Sequence, residues 1–455
     1  MDSLVNARLP PHAGVRCALH PIFGASLYTT RAFEVGETVW HEDEAALVSP
    51  GTSLLAYASV LKAQASDAAL AETLSAFMTL DEATVDADPT FATIAQLCQA
   101  FRKSHGAARM ALVTQLVSAF EINGHGLPDD RAGLFVVASK AAHSCSPNVI
   151  YTPRGPRGMA YVAIKPIAAD ALVYYSYIAR EKLGFPTHFR QALLRQSYYF
   201  VCGCARCDGD DHVRPLPCPA CETGEMLHRQ DAWTCRDCGL QLSDDDAPAR
   251  LPLELEERLD AKVMGFEVDP GSAAVTNVRA AFKDATAAFS PNHWATIYLA
   301  RILAEMSMPP STEFMAPALT PPQLHATTKR IATWCRDVLA PHNPVSAASL
   351  VFAYRAPLFA QCARGDVDAH ALLAYFYPFF RLNFGPNDAD VVEWRGYVWG
   401  ADVQEREGRL CAECTRPASQ RCGRCASVAY CSKACQVANW KTHKPVCPTM
   451  ASQRK

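Results

Sequence analysis

The spacing of apolar residues changes character several times along this 455-residue chain, and each change predicts a different kind of element. In residues 15–50, β-rich runs at 26–30 and 38–41 flank the turn-like Glu34-Val35-Gly36-Glu37, which predicts short strands. From about 53 to 120, Ala and Leu recur every three or four positions through 54–70, 71–80, 91–101 and 110–120, predicting helices. A glycine-rich turn at 121–126 precedes a predicted strand at 133–137. Runs at 149–152 and 159–164, around a Pro/Gly-rich turn, predict a hairpin. The aromatic run 172–177 predicts a buried strand, and 180–196 a helix. Residues 250–407 are amphipathic stretches broken by prolines such as Pro309, Pro321, Pro341 and Pro344, predicting six or seven helices. They show no clean repeat of about 34 residues, so a plain bundle and a superhelix both stay open.

The length suits two to four domains, and 49% hydrophobic with 20% charged residues describes an ordinary globular chain. The first eight residues lack a charged head followed by an apolar run, and the longest apolar stretch, 54–80, is interrupted by Lys62, Asp67 and Glu72. Neither a secretory signal nor a membrane span is expected, and residence in cytoplasm, nucleus or both is.

Cysteine usage changes that picture most. Fifteen of nineteen cysteines fall in close-spaced clusters or at Cys145, and Cys17, Cys98, Cys335 and Cys362 read as core residues. Without an export signal, the clusters read as reduced thiolates on zinc rather than disulfides. Cys218 and Cys221, thirteen residues, then Cys235 and Cys238 form a zinc-ribbon pattern, a closed site whose role is expected to be structural. Cys202, Cys204 and Cys207 are three ligands where a tetrahedral site wants four, and the solitary Cys145 is the expected fourth. Between 411 and 447 the spacing C-x2-C-x7-C-x2-C-x5-C-x3-C-x7-H-x3-C supplies eight ligands for two further ions, making four zinc sites in all. The net charge of −3 conceals a tail, 409–455, with nine Lys or Arg against one acid. Zinc thiolates would offset part of that charge, so nucleic-acid binding is disfavoured against a solubilising face.

Ala142-His143-Ser144-Cys145-Ser146-Pro147-Asn148, then Tyr174-Tyr175-Ser176-Tyr177-Ile178, then Ser197-Tyr198-Tyr199-Phe200-Val201-Cys202-Gly203-Cys204 resemble the ordered signature of SET-domain protein-lysine methyltransferases, closest to the SET-and-MYND family. Phe23 to Leu27 and Gly36-Glu37 are similar to the opening of that domain, and 411–447, with Tyr430 and Trp440, to the MYND finger. The resemblance implies an α+β multidomain chain. Its parts would be a SET β-fold at 1–208 with a helical insertion at about 53–120 and post-SET cysteines, a zinc ribbon at 209–245, an all-α domain at 246–407, a MYND finger at 408–448 and a tail at 449–455. It also implies that the 142–148 and 174–178 segments pass each other in a pseudo-knot, an exception to the usual avoidance of threaded chains.

Carried over by position, the resemblance implies S-adenosylmethionine as cofactor and the lysine of a histone or non-histone protein as substrate. Tyr177 would be catalytic and Tyr198 would help form the lysine channel. Gly24, Ser26, Leu27, Asn123, Ser139, Ala142, His143 and Phe200 would contact the cofactor. In the finger, one ion would take Cys411, Cys414, Cys431 and Cys435, the other Cys422, Cys425, His443 and Cys447, and proline-rich peptides are the implied partner. Three positions depart from the pattern. Ala142 replaces an asparagine, Ala179 stands where many relatives have an acid, and Ala25 replaces a basic residue. These departures keep a second reading open, a weak or inactive adaptor that recruits partners through the finger.

Overall fold

A computed structural model describes residues 5–9, 13–221, 223–268, 274–309, 316–384, 388–399, 420–424, 429–430 and 432–444. The chain divides into two compact units, Met1–Leu303 with Val338–Ser346, and Ala304–Asp337 with Ala347–Lys455.

The first unit opens with the antiparallel hairpin β1 (Val15–His20) and β2 (Gly24–Thr29). β3 (Thr38–Glu42) and β4 (Leu47–Ser49) follow, each joining a different sheet. The helical periodicity of 53–120 becomes α1 (Leu54–Ala63), α2 (Asp67–Leu74), α3 (Glu82–Ala87), α4 (Ala92–His105) and α5 (Met110–Asn123). The apolar spacing runs unbroken across 54–70, but Ser66 stops the helix and starts the next by accepting the Ala69 N–H at 3.2 Å. β5 (Gly124–Gly126) and β6 (Ala132–Leu134) complete the sheet β4-β6-β5. Beyond β7 (Ala142–His143), the expected hairpin forms as β8 (Val149–Arg154) and β9 (Gly158–Ala163), giving the sheet β3-β9-β8.

These sheets and the helical insertion share one core. Tyr57, Leu70, Ile94 and Leu116 of the insertion belong to the same buried cluster as Leu27, Trp40, Tyr161 and Val173. Trp40 stacks on Tyr161 with ring centroids 3.9 Å apart, coupling β3 to β9.

Three predicted elements are shorter than expected. Only Ala132–Leu134 of the run to 137 is strand, and only β10 (Tyr174–Tyr175) of 172–177 is. On both sides of β10 the hydrogen bonds go to side chains and isolated carbonyls instead of a ladder. The helix expected at 180–196 is a short 3-10 turn, Arg180–Gly184, followed by α6 (Thr187–Tyr198). Pro186 explains the break, because its ring forces Phe185 into extended backbone, φ −81° and ψ 157°. α6 ends where Tyr199 turns left-handed at φ 64°, and α7 (Ala205–Asp208) carries the cysteine trio onward.

The ribbon is a four-stranded antiparallel sheet, β11 (Leu216–Pro217), β12 (Glu225–Arg229), β13 (Ala232–Cys235) and β14 (Gln241–Ser243). Eight helices follow among the described residues, one or two more than expected: α8 (Leu253–Val268), α9 (Val275–Ala288), α10 (Trp294–Glu305), α11 (Pro321–Trp334), α12 (Pro344–Phe352), α13 (Arg355–Ala363), α14 (Val367–Phe384) and α15 (Ala389–Trp399). Trp294, Trp334 and Trp394 are buried, as core residues should be. Of the finger, β15 (Gln420–Arg421), β16 (Ala429–Tyr430) and α16 (Lys433–His443) are described. Cys411, Cys414, Cys425, Cys431 and Cys447 lie outside the described residues, as does the 407–408 boundary. Among the described residues no helix is long and apolar enough to cross a membrane.

Candidate functional site

The site begins where two segments distant in sequence run side by side. β7 pairs with β10 in parallel, Ala142 opposite Tyr174 and His143 opposite Tyr175. Two residues form only a fragment of ladder, so Asn148 reinforces it. Its amide donates to the Leu172 carbonyl at 2.8 Å, and its side-chain oxygen accepts the Tyr174 N–H at 2.8 Å. His143 extends the contact by accepting the Tyr177 N–H at Nδ1, 3.0 Å away.

This crossing gathers aromatic rings. Tyr177 lies 4.9 Å from Tyr175, 5.0 Å from Tyr198, 5.2 Å from His143 and 6.2 Å from Phe200, centroid to centroid. Its hydroxyl donates to the Ala141 carbonyl at 2.8 Å. A cavity of about 290 Å³ opens beside the cluster, lined by Tyr151, Tyr175, Tyr177, Ile178 and Arg180 among others. Burial pushes the phenols up, Tyr198 to about 12 and Tyr175 and Tyr177 also above the ordinary tyrosine value, so all three are neutral donors at physiological pH. None of these three phenols can serve as a general base there.

The other expected cofactor residues divide. β2 lies along the strand leading to β10, since the Val173 N–H donates to the Leu27 carbonyl at 2.9 Å. Leu27 is buried, and the Ser26 hydroxyl donates to the Gly24 carbonyl at 3.2 Å. Gly24 has φ +68°, and no atom lies within 4 Å of where its Cβ would be, leaving open space beside the backbone. Phe200 is brought to His143, 5.9 Å between ring centroids. Ala142 is buried, with its N–H donating to the Val173 carbonyl at 3.2 Å. Asn123 and Ser139 are not drawn into the aromatic cluster. The Asn123 amide donates to the carbonyls of Met78 and Ala119, and the Ser139 hydroxyl to that of Val136.

Four residues at the site escaped sequence reasoning. Tyr175 and Asn148 sit inside the quoted segments and could have been named from them. Tyr151 and His125 had no local signal. His125 is buried, stacked at 5.5 Å on Tyr175, and bonded through Nε2 to the Tyr161 hydroxyl at 2.8 Å.

The cysteines converge as their spacing anticipated. The sulfurs of Cys145, Cys202, Cys204 and Cys207 all lie within 4.8 Å of one another, as do those of Cys218, Cys221, Cys235 and Cys238. Four sulfurs at such separations are the donor set of a tetrahedral zinc ion, so both clusters fit the metal. In the finger, Cys422 Sγ lies 3.3 Å from His443 Nε2, and Cys435 sits in the first turn of α16 with its N–H on the Ser432 hydroxyl.

Residues 411–447 match the MYND finger family. The chain is 34% identical over 102 residues to the N-lysine methyltransferase SMYD2 of Homo sapiens, and 35% identical over 103 residues to SMYD2-A of Danio rerio. Each of those matches spans 21% of this chain and 22% of the curated relative. The chain is also 45% identical over 53 residues to ubiquitin carboxyl-terminal hydrolase 15 of Arabidopsis thaliana, covering 11% of this chain and 6% of that protein. Among solved structures, the SET domain of LSMT bound to lysine and AdoHcy is 10% identical, covers 82% of this chain and 89% of that one, and has a TM-score of 0.31.

Proposed function

We propose that this chain is a SET-and-MYND protein and an S-adenosylmethionine-dependent protein-lysine N-methyltransferase, acting on the lysine of a partner protein. The observation that carries the reading is the ring of Tyr175, Tyr177 and Tyr198 beside His143 and Phe200 at the β7–β10 crossing. Bound S-adenosylmethionine supplies an electrophilic methyl group. Gly24 leaves room for a ligand against its backbone; its strand, β2, bonds through Leu27 to Val173 just before β10, and β10 pairs with Ala142 and His143, beside which Phe200 lies. Tyrosine faces admit the apolar lysine stem and attract its cationic head. In-line displacement needs the amine deprotonated and aligned, and the neutral phenols exclude water and hold that alignment. The Ala141 carbonyl orients the Tyr177 hydroxyl.

Zinc at the two four-cysteine clusters would shape the pocket and the ribbon without touching the reacting atoms. Cys145 would fasten the strand carrying His143 to the cysteines after Phe200. The MYND finger would recruit partners through proline-rich peptides. The test is transfer of a radiolabelled methyl group from S-adenosylmethionine to proteins of a lysate or a peptide panel, with calorimetry for cofactor binding. Absence of cofactor binding by zinc-replete protein would overturn the reading.

A further inference from the structure

Two arginines in the first unit are buried without a matching carboxylate. Arg190, on α6, is fully buried, and Arg206, on α7, is 6% exposed. Arg190 donates to the Phe185 carbonyl, to Thr187 Oγ1 at 3.0 Å and to Cys207 Sγ at 3.6 Å. Arg206 donates to the Cys145 carbonyl at 3.1 Å. Arg190 Nε and Arg206 Nη2 have no hydrogen-bond acceptor. Among the described residues neither guanidinium is in an ion pair, and the nearby buried acid, Asp211, spends a carboxylate oxygen on the Thr187 N–H at 2.7 Å. Isolated buried cations are costly, so something anionic must face them.

The anions within reach are Asp211, whose charge acts on both guanidiniums, and the Cys145, Cys202, Cys204 and Cys207 cluster. Four thiolates around one divalent ion leave two negative charges which, with that of Asp211, face three cations, Arg190, Arg206 and Lys165. We propose that Arg190 and Arg206 are the counter-charges of a tetrathiolate zinc at this cluster, making it the slow-exchanging one of the chain's two four-cysteine sites. The inference rests on reading the cluster as a zinc site. The ribbon lacks this provision. Its Cys238 is exposed and Cys221 half-buried, and the hydrogen bonds its sulfurs accept come from backbone N–H groups, those of Ala220 and Cys238 among them, and from other thiols, with no side-chain cation among the described residues. Guanidinium donors lower the basicity and nucleophilicity of a metal-bound thiolate, so the compensated site resists chelators and electrophiles that open the bare one.

The experiment uses full-length zinc-loaded protein, its metal content measured by mass spectrometry. Excess EDTA and isotope-coded iodoacetamide are added, and alkylation is followed peptide by peptide. The peptides of Cys218 to Cys238 are expected to label about tenfold faster than those of Cys145 and Cys202 to Cys207. Arg190→Gln with Arg206→Gln is expected to raise the rate of the second group about tenfold and leave the ribbon unchanged, while Arg190→Lys with Arg206→Lys retains most of the protection. Equal rates in the wild type, an unchanged rate in the glutamine variant, or equal loss in the lysine variant would overturn the proposal. Should the glutamine variant unfold, buried Cys17 and Cys335 label too, and the lysine variant then decides alone. Cys145→Ser separates the two levels. If it leaves zinc content unchanged, the metal reading has failed. If it removes one ion while the arginine variants behave as wild type, the counter-charge proposal alone is wrong.

Discussion

The Tyr198 hydroxyl donates to the backbone carbonyl of Tyr177 at 3.0 Å, with the two rings 5.0 Å apart. This bond ties the last residue of α6 to the segment beyond β10, so the chain that leads to the cysteine trio also holds the tyrosine at the centre of the site.

Tyr177→Phe removes the hydroxyl bonded to Ala141 and keeps every ring contact. Stability should fall by about 1 kcal/mol, the net worth of one hydrogen bond, with zinc content unchanged. Methyl transfer should fall on the order of 100-fold if the hydroxyl orients the reacting groups. Radiolabel incorporation measures the second effect and denaturant unfolding the first; full activity in the variant would remove Tyr177 from the proposed chemistry.

His125 makes stability pH-dependent. Burial depresses its pKa to about 4 from an ordinary 6.5, while the unfolded chain keeps the ordinary value. The unfolded state therefore binds the proton first. The stabilising contribution is complete above pH 6.5 and drains away as pH falls toward about 4, amounting to about 2 kcal/mol lost by pH 5. Denaturant midpoints at pH 7 and 5 should show this loss in the wild type and a smaller one in His125→Gln. Equal losses would mean that another group governs the acid sensitivity.

Gly224→Ala tests the ribbon. A Cβ there would lie 2.4 Å from Cys221 Sγ and 2.8 Å from Cys235 Sγ, closer than any side-chain carbon can sit. The variant is expected to lose one zinc ion per chain while the Cys145 cluster keeps its own. Metal analysis that finds the full complement would show that the sulfurs move aside.

Gly24→Ala meets no neighbour, so its structural cost is confined to backbone at φ +68°, about 1 kcal/mol. If the open space beside it receives the cofactor, calorimetry should record a loss of S-adenosylmethionine affinity exceeding what the unfolding curve explains. Unchanged affinity would place the cofactor elsewhere.

Much of this molecule was legible one segment at a time. Apolar spacings of three to four residues announced α1, α2, α4 and α5, and the β-rich runs on either side of the turn at 153–158 announced β8 and β9, because each pattern is set by neighbours within a turn or a strand. The cysteine pairs of the ribbon were equally plain, since each knuckle is local.

Local signals also misled where a single residue outweighed a pattern. Pro186 cut the predicted 180–196 helix in two, and Ser66 interrupted an unbroken run of helix formers.

By itself the sequence determined most of the elements and the metal-ligand spacings, both written in short-range periodicity and fixed intervals. Only the tertiary structure decided that Cys145 meets a trio more than fifty residues away, that His125 stacks on Tyr175, and that Arg190 and Arg206 are buried beside Cys207 Sγ and the Cys145 carbonyl. Those relationships depend on where the β7–β10 crossing brings distant strands together, and burial, which gives each side chain its charge state, exists only once that crossing has formed.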